Sequence, residues 1–255
     1  MDEINKIYKF KLKGKFAHFR KFYTNSSSLT YFLPPRTVIS GLFASILNIK
    51  RNNYYDLFSS ENCGLSVGIS EGCNFRKTTQ SMNYLHKDYY GLIAKGNKGG
   101  KVQHSQCKLE LLLSVPDSMI EYNIFLGAKK NRSEYERIVE KIKNNNLGYG
   151  IYFGQRQFKA EIEYVDCYSD IDYFKESNFV NTVCSEEDVD ELDTGREYDI
   201  IKDRMPVHFK KITKSGKDGR EPLRTKMYIY DRNGKILRGK FKNCYITGEE
   251  IVNFM

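Results

Sequence analysis

Residues 6–16 alternate without a break. Tyr8, Phe10, Leu12 and Phe16 fall on one side, and Lys9, Lys11, Lys13 and Lys15 on the other. A period of two is the spacing of a strand with one buried face, and no helix sorts these side chains that way. The chain must therefore supply a cover for that apolar face. The far face carries a ladder of four ammonium groups, suited either to solvent or to a polyanion.

The cover is written next. After a polar loop, His18-Phe19-Arg20-Lys21-Phe22-Tyr23-Thr24-Asn25-Ser26-Ser27-Ser28, the run Leu33-Pro34-Pro35-Arg36-Thr37 opens a helix. Proline suits a first helical turn, where its missing N–H costs nothing. Val38, Ile39, Leu42, Phe43, Ile46 and Ile49 form one apolar stripe, and Ser40, Gly41, Ala44 and Ser45 let a neighbour come close. The mouth of this helix offers free N–H groups beside Arg36, Thr37 and the loop hydroxyls, a seat for a phosphate.

Two strands follow near 64–70 and 74–85, then a polar, glycine-rich excursion over 86–104, then a returning strand at 108–113. This reads as a β-hairpin with a long arm, and loops of that length inside compact domains are usually functional. Met119–Leu126 reads as a strand. Ser133-x-x-Glu136 has the form of a capping box before a helix with Tyr135, Ile138, Val139 and Ile142 on one face. Asn144–Gly148 stops that helix, and Gly150–Arg156 leads into a strand at 158–166. The order βαββαβ is that of a ferredoxin-like domain, so the fold class expected is α+β: a ferredoxin-like domain over 1–168, with its arm at about 86–104.

Past residue 168 the charge separates. The net charge is +9, but residues 161–200 hold 14 Asp and Glu against two Lys and Arg, which leaves the other 215 residues at +21. The segment 169–200 reads as an irregular acidic linker or docking patch. Residues 201–255 read as a basic, β-rich region, with strands at 207–213, 225–231 and 235–242 and Asn233-Gly234 as a two-residue hairpin turn. A basic body with a segregated acidic segment points to a polyanion partner. Fourteen percent aromatic residues, 19 of them tyrosine, are compatible with base stacking.

The six cysteines (63, 73, 107, 167, 184 and 244) form no C-x-x-C pair, and the four histidines are equally scattered, so no metal and no cofactor is expected. No apolar run is long enough to span a membrane, and the opening Met1–Lys6 lacks the apolar stretch of a secretory signal; the expected location is the cytoplasm.

The stretch His18-Phe19-Arg20 followed by Pro34-Pro35-Arg36-Thr37-Val38-Ile39-Ser40-Gly41-Leu42-Phe43-Ala44-Ser45 resembles the opening of the CRISPR-associated RAMP proteins. More narrowly, it is similar to the Cas five family, whose members hold the 5′ handle of crRNA in type I Cascade complexes. Tyr122–Leu126, Tyr152-Phe153-Gly154-Gln155 and Phe158–Ile162 supply a second, looser match, and the length resembles that of type I-B members. The resemblance implies crRNA, a large subunit and backbone subunits as partners in antiviral defence, with target DNA met only inside the assembled complex.

It also implies where RNA would lie. His18, Arg20, Lys21, Tyr23, Asn25 and Ser26 would meet it from the loop, and Arg36, Thr37 and Ser40 from the helix mouth. Lys87, Tyr89, Tyr90, Lys95, Lys98, Lys101 and His104 would meet it from the arm, the thumb of such proteins, and Gln155 and Arg156 from the glycine-containing segment. Similar proteins of type I-C cleave precursor crRNA without metal. That chemistry needs a base, an acid and a cation. The candidates are His104 or His86, Tyr23 or Tyr89, and Lys87 or Lys21, and no spacing joins them into one site. A noncatalytic RNA-binding subunit therefore ranks first, a processing endoribonuclease second, and a protein scaffold without RNA affinity third.

Overall fold

The computed structural model of the chain describes residues 4–24, 28–85, 91, 94, 96, 104–116, 118–129, 132–169, 171–214 and 217–255. The first two-thirds run through β1 (Lys6–Gly14), β2 (Phe16–Ala17), β3 (Phe19–Arg20), β4 (Thr30–Tyr31), α1 (Arg36–Ile46), β5 (Cys63–Ile69), β6 (Phe75–Leu85), β7 (His104–Ser114), β8 (Ile120–Ala128), α2 (Ser133–Lys143) and β9 (Ala160–Tyr168). The last third is β10 (Asp172–Val180), β11 (Cys184–Ser185), β12 (Val189–Leu192), β13 (Ile200–Lys214), β14 (Lys217–Asp231), β15 (Leu237–Thr247) and β16 (Glu250–Asn253). The molecule is α+β, with far more strand than helix.

The central sheet has the order β5–β8–β1–β9, and every pairing in it is antiparallel. Tyr8, Phe10 and Leu12 turn to the face covered by α1 and α2, where Phe10 meets Phe43 at 5.2 Å between ring centroids. Burying each of these large side chains contributes roughly 1.5–3 kcal/mol. The alternation that defines β1 stops at Gly14. Phe16 belongs instead to β2, pairs with Leu113 of β7 and is largely exposed.

The lysine ladder faces carboxylates. Lys9 meets Glu250 at 2.5 Å, Lys11 meets Glu121 at 3.1 Å and Lys13 meets Glu163 at 3.1 Å. These three ammonium groups are neutralised within the molecule.

The hairpin base is as expected: β6 and β7 pair from Phe75↔Ser114 out to Leu85↔His104. The arm residues proposed to touch RNA (Lys87, Tyr89, Tyr90, Lys95, Lys98 and Lys101), together with His86, lie outside the described residues, as do Asn25 and Ser26 and the side chain of His104. The capping box is not formed. Arg132 occupies the cap position without a side-chain hydrogen bond, and Ser133 is already helical; α2 is instead favoured by Glu134 and Glu136 in its first turn and Lys141 and Lys143 in its last.

The acidic segment is not irregular. Residues 172–180 form β10 against β15, and residues 189–192 form β12 on the other side of β15. Its carboxylates face the basic strands that follow: Glu187 meets Lys226 at 2.8 Å, Asp190 meets Lys242 at 2.6 Å, Glu191 meets Lys240 at 2.6 Å, and Glu186 pairs with Lys202. Such exposed pairs add little stability. Together they consume much of the charge that a basic partner would need.

Asn233-Gly234 is not a hairpin turn either. β14 belongs to a sheet with β11 and β13, whereas β15 belongs to a sheet with β10, β12 and β16. The turn is a corner between sheets, held by Asp231, whose Oδ1 accepts hydrogen bonds from the Asn233 and Lys235 N–H groups at 2.8 and 3.1 Å.

The C-terminal strands are fused to the central sheet. Val183, Met205, Val207, Tyr228, Tyr230 and Met255 share one core with α1 and β1. The outer edge of β5 is covered: Leu65 O accepts from the Met255 N–H at 2.9 Å and Val67 O from the Val183 N–H at 2.8 Å. Gly64 and Gly127 stand opposite each other in register, and a Cβ on either would lie under 3 Å from the Phe254 ring. The glycine pair is the seat of that ring.

Arg36 locks the joint. Its guanidinium is 1% exposed and donates to Met255 O at 3.0 Å, Phe58 O at 2.9 Å and Cys63 O at 3.0 Å. Arg36→Ala would leave three buried carbonyls without donors, each costing about 1–3 kcal/mol. We expect urea unfolding to show a loss of at least about 3 kcal/mol. A loss below about 1 kcal/mol would mean that the joint does not depend on this side chain.

Candidate nucleic-acid interface

Four separate stretches of chain meet around a cleft of about 810 Å³. β3 and the loop after it supply Arg20 and Phe22. The helix α1 and the turn behind it supply Thr37, Lys50, Arg51 and Tyr54. The segment before β9 supplies Tyr149, Tyr152 and Gln155. The β13–β14 hairpin supplies Pro206, Phe209 and Arg220.

Local chemistry explains why these stretches converge. The His18 N–H donates to Phe153 O at 3.1 Å, so the two sequence blocks that carry the family resemblance touch backbone to backbone. Gly154 has φ +82°, and a Cβ there would sit 2.0 Å from His18 O. Only glycine takes that left-handed conformation at such close approach without strain. Behind it, Ser45 of α1 holds the next loop: its carbonyl accepts from the Tyr149 N–H at 3.2 Å, and its hydroxyl donates to Gly150 O at 2.9 Å. The small residues of α1 thus admit the loop that presents Tyr149 and Tyr152. Gly41 likewise makes room for the Tyr54 hydroxyl, 3.2 Å from where a Cβ would stand.

The lining carries four cations, Arg20, Lys50, Arg51 and Arg220, and no Asp or Glu among the described residues. It also presents aromatic surface: Tyr149 is 65% exposed and Tyr152 is 39% exposed, with Phe22 and Phe209 half-buried beside them. A positive groove with exposed π-faces is the physical description of a single-strand binding surface. Seven other tyrosines are buried in the core. Tyr31, Tyr122 and Tyr135 are buried with their hydroxyls donating to Arg204 O, Phe32 O and Leu57 O.

Several residues proposed for RNA contact are committed elsewhere. His18 is 1% exposed; its Nδ1 meets Glu110 O at 2.7 Å and its Nε2 meets the Ser28 hydroxyl at 2.9 Å. A carbonyl only accepts, so Nδ1 carries the proton and the ring is a neutral strut between loop and arm base. Burial lowers its pKa from the usual histidine value, with the Glu110 hydrogen bond opposing. Arg36 and Ser40 are buried, the Ser40 hydroxyl donating to Arg36 O at 2.9 Å. Against expectation, the side chains of His18, Arg36 and Ser40 are buried scaffold, with His18 bordering the cleft from beneath.

Lys21 meets Asp203 of β13 at 2.5 Å, and Tyr230 donates to the other Asp203 oxygen at 2.9 Å. This ties the loop to the C-terminal hairpin rather than to a ligand. Arg20, Thr37 and Gln155 do line the cleft. Tyr23 is exposed and packs edge-on against Phe22 at 5.2 Å, next to the cleft rather than in it, and Arg156 is exposed just beyond Gln155.

Lys50, Arg51, Tyr149, Tyr152, Phe209 and Arg220 were not singled out from sequence. The signal available was a pair of tyrosines among glycines, Gly148-Tyr149-Gly150-Ile151-Tyr152, where an aromatic side chain on a loop has no core to fill. The hairpin residues gave none, because their place depends on β13 packing on α1.

The described histidines offer no free base. His208 is partly buried against the Ser60 hydroxyl at 2.9 Å. Among the described residues, no three His, Cys, Asp or Glu side chains gather into a metal site, and no helix is long and apolar enough to cross a membrane.

No family model matches the sequence, and no curated protein does. Among solved structures, the chain matches a CRISPR protein from Archaeoglobus fulgidus with a TM-score of 0.55 at 12% identity, over 96% of this chain and 98% of that one. The likeness is one of fold. A chain of a CRISPR RNA-guided surveillance complex also aligns, at 10% identity over 92% of this chain and 91% of that one, but its TM-score of 0.46 carries no weight.

Burial, with the charges of Arg36 and Arg224, lowers the His208 pKa from 6.5 to about 4. The unfolded chain takes up this proton first, so this histidine destabilises the fold as pH falls from 6.5 toward 4 and leaves it unaffected above that window. An NMR titration should show the His208 ring still neutral at pH 5. An inflection near 6.5 would mean that the ring is freely solvated.

Proposed function

We propose that this chain is a noncatalytic RNA-binding subunit of a CRISPR effector complex, holding the 5′ handle of crRNA in the cytoplasm. The cleft carries the reading: four cations and several open aromatic faces, with no carboxylate among its described lining. Lysines and arginines suit phosphates, and tyrosines suit splayed bases. The order β9–β1–β8–β5, with both helices on one face, supports a ferredoxin-like RAMP domain over 1–168. The fold shared with an archaeal CRISPR protein favours the same assignment.

The finer parts of the reading are a type I-B Cas five subunit, a thumb at 86–104 meeting guide and backbone subunit, and a large subunit alongside. They rest on the resemblance of His18–Arg20 and Pro34–Ser45 to that family, and on the hairpin base formed by β6 and β7. A processing endoribonuclease would have to draw its base from His86 or His104, since His18 is a buried strut and His208 is pinned to Ser60.

The test is binding of a labelled repeat-spacer RNA in EDTA across a salt series, with native and denaturing gels of the same samples. Intact, shifted RNA is expected. Lys50→Ala with Arg51→Ala should weaken binding and shallow the log–log salt slope by about 0.7 for each phosphate left without its cation. RNA cut within the repeat would instead make the chain a nuclease, and an unchanged slope would remove Lys50 and Arg51 from the interface.

A further inference from the structure

Arg220 is built into the cleft wall, unlike the other cations there. It stands on β14 opposite Lys211, and its guanidinium carbon lies 4.8 Å from the centre of the Phe209 ring on the facing strand. The buried Tyr54, from the turn behind α1, lines the cleft beside it. The Phe209 ring gives this guanidinium a fixed aromatic neighbour on the facing strand.

A phosphate contact needs charge and reach, and the exposed Lys50 and Arg51 supply both. It does not need an arginine held against an aromatic ring. A planar guanidinium packed near Phe209 and exposed to the cleft can stack on a flat ligand while its N–H groups donate to the ligand's edge. Tyr149 and Tyr152 are exposed and line the same cleft, so the aromatic side chains and Arg220 share one space.

Resting on the RNA-binding reading above, we propose that Arg220 is a stacking platform for one unpaired base of the bound single strand, with Phe209 as its backing. The C-terminal hairpin is then part of the recognition site, and the cleft divides its labour. Lys50, Arg51 and Arg20 neutralise backbone, and Arg220 grips a base.

The experiment compares the full-length protein with R220K, R220A and F209L on a labelled repeat-spacer RNA across a salt series, and on the same RNA carrying one abasic position at a time. R220K keeps the charge and loses the plane. It should weaken binding about tenfold, within the range of base stacking, while leaving the salt slope unchanged. F209L should do the same, and the R220K thermal melt should stay near wild type because Arg220 is exposed. R220A should lose affinity and slope together. For one abasic position the R220K penalty should vanish, which places the base.

If wild type binds RNA and R220K binds equally well, or if the R220K penalty survives at every abasic position, the stacking role is wrong and the RNA-binding reading stands. If wild type binds no RNA at any salt, that reading fails and this inference with it.

Discussion

The Arg36 guanidinium gathers carbonyls from the turn after α1, the start of β5 and the C-terminal Met255, reinforcing the seam where Met255 and Phe254 already meet β5. A buried cation is costly unless it is hydrogen-bonded, and the two terminal nitrogens of Arg36 find their acceptors only in this arrangement of the C-terminal strands on the central sheet. Everything functional follows from that joint. With the C-terminal strands fixed, β13 lies against α1, the β13–β14 hairpin reaches past the helix mouth, and a cleft opens between them.

Charge then decides which surface is available. The acidic stretch looks, by composition, like bait for a basic partner. In the fold it is paired internally with Lys202, Lys226, Lys240 and Lys242, and the β1 lysines are paired with Glu121, Glu163 and Glu250. These exposed pairs add little stability. Their effect is to cancel charge at these positions, while the described cleft lining carries four cations and no carboxylate and so attracts a polyanion.

Much of the fold could be read from sequence where the signal is local. The alternation of residues 6–14, the apolar stripe of α1 and the spacing around α2 each fix an element through its own neighbours. What failed depends on distant partners. Tyr173, Phe174, Phe179 and Val180 are good strand residues, but β10 exists because β15 pairs with it some seventy positions later, and the density of carboxylates hid the pattern. Asn233-Gly234 has hairpin chemistry, yet the strands around it join different sheets. Of the side chains expected to meet RNA, Arg20, Thr37 and Gln155 line the cleft, and others are committed to the scaffold. His18, Arg36 and Ser40 have the residue types of an RNA contact, but a residue type carries no direction, and burial turned all three inward. Tyr149, Tyr152 and Arg220 became visible only when separate segments were brought together.

The central claim is that RNA lies in this cleft, held from one side by the loops of the central domain and from the other by the C-terminal hairpin. Photocrosslinking with a repeat RNA carrying 4-thiouridine, followed by mapping of the adducts by mass spectrometry, tests it most directly. Adducts at Tyr149 or Tyr152 together with adducts in the Phe209–Arg220 stretch are the expected result. Adducts confined to the β1 lysine face, with none in the cleft, would contradict it.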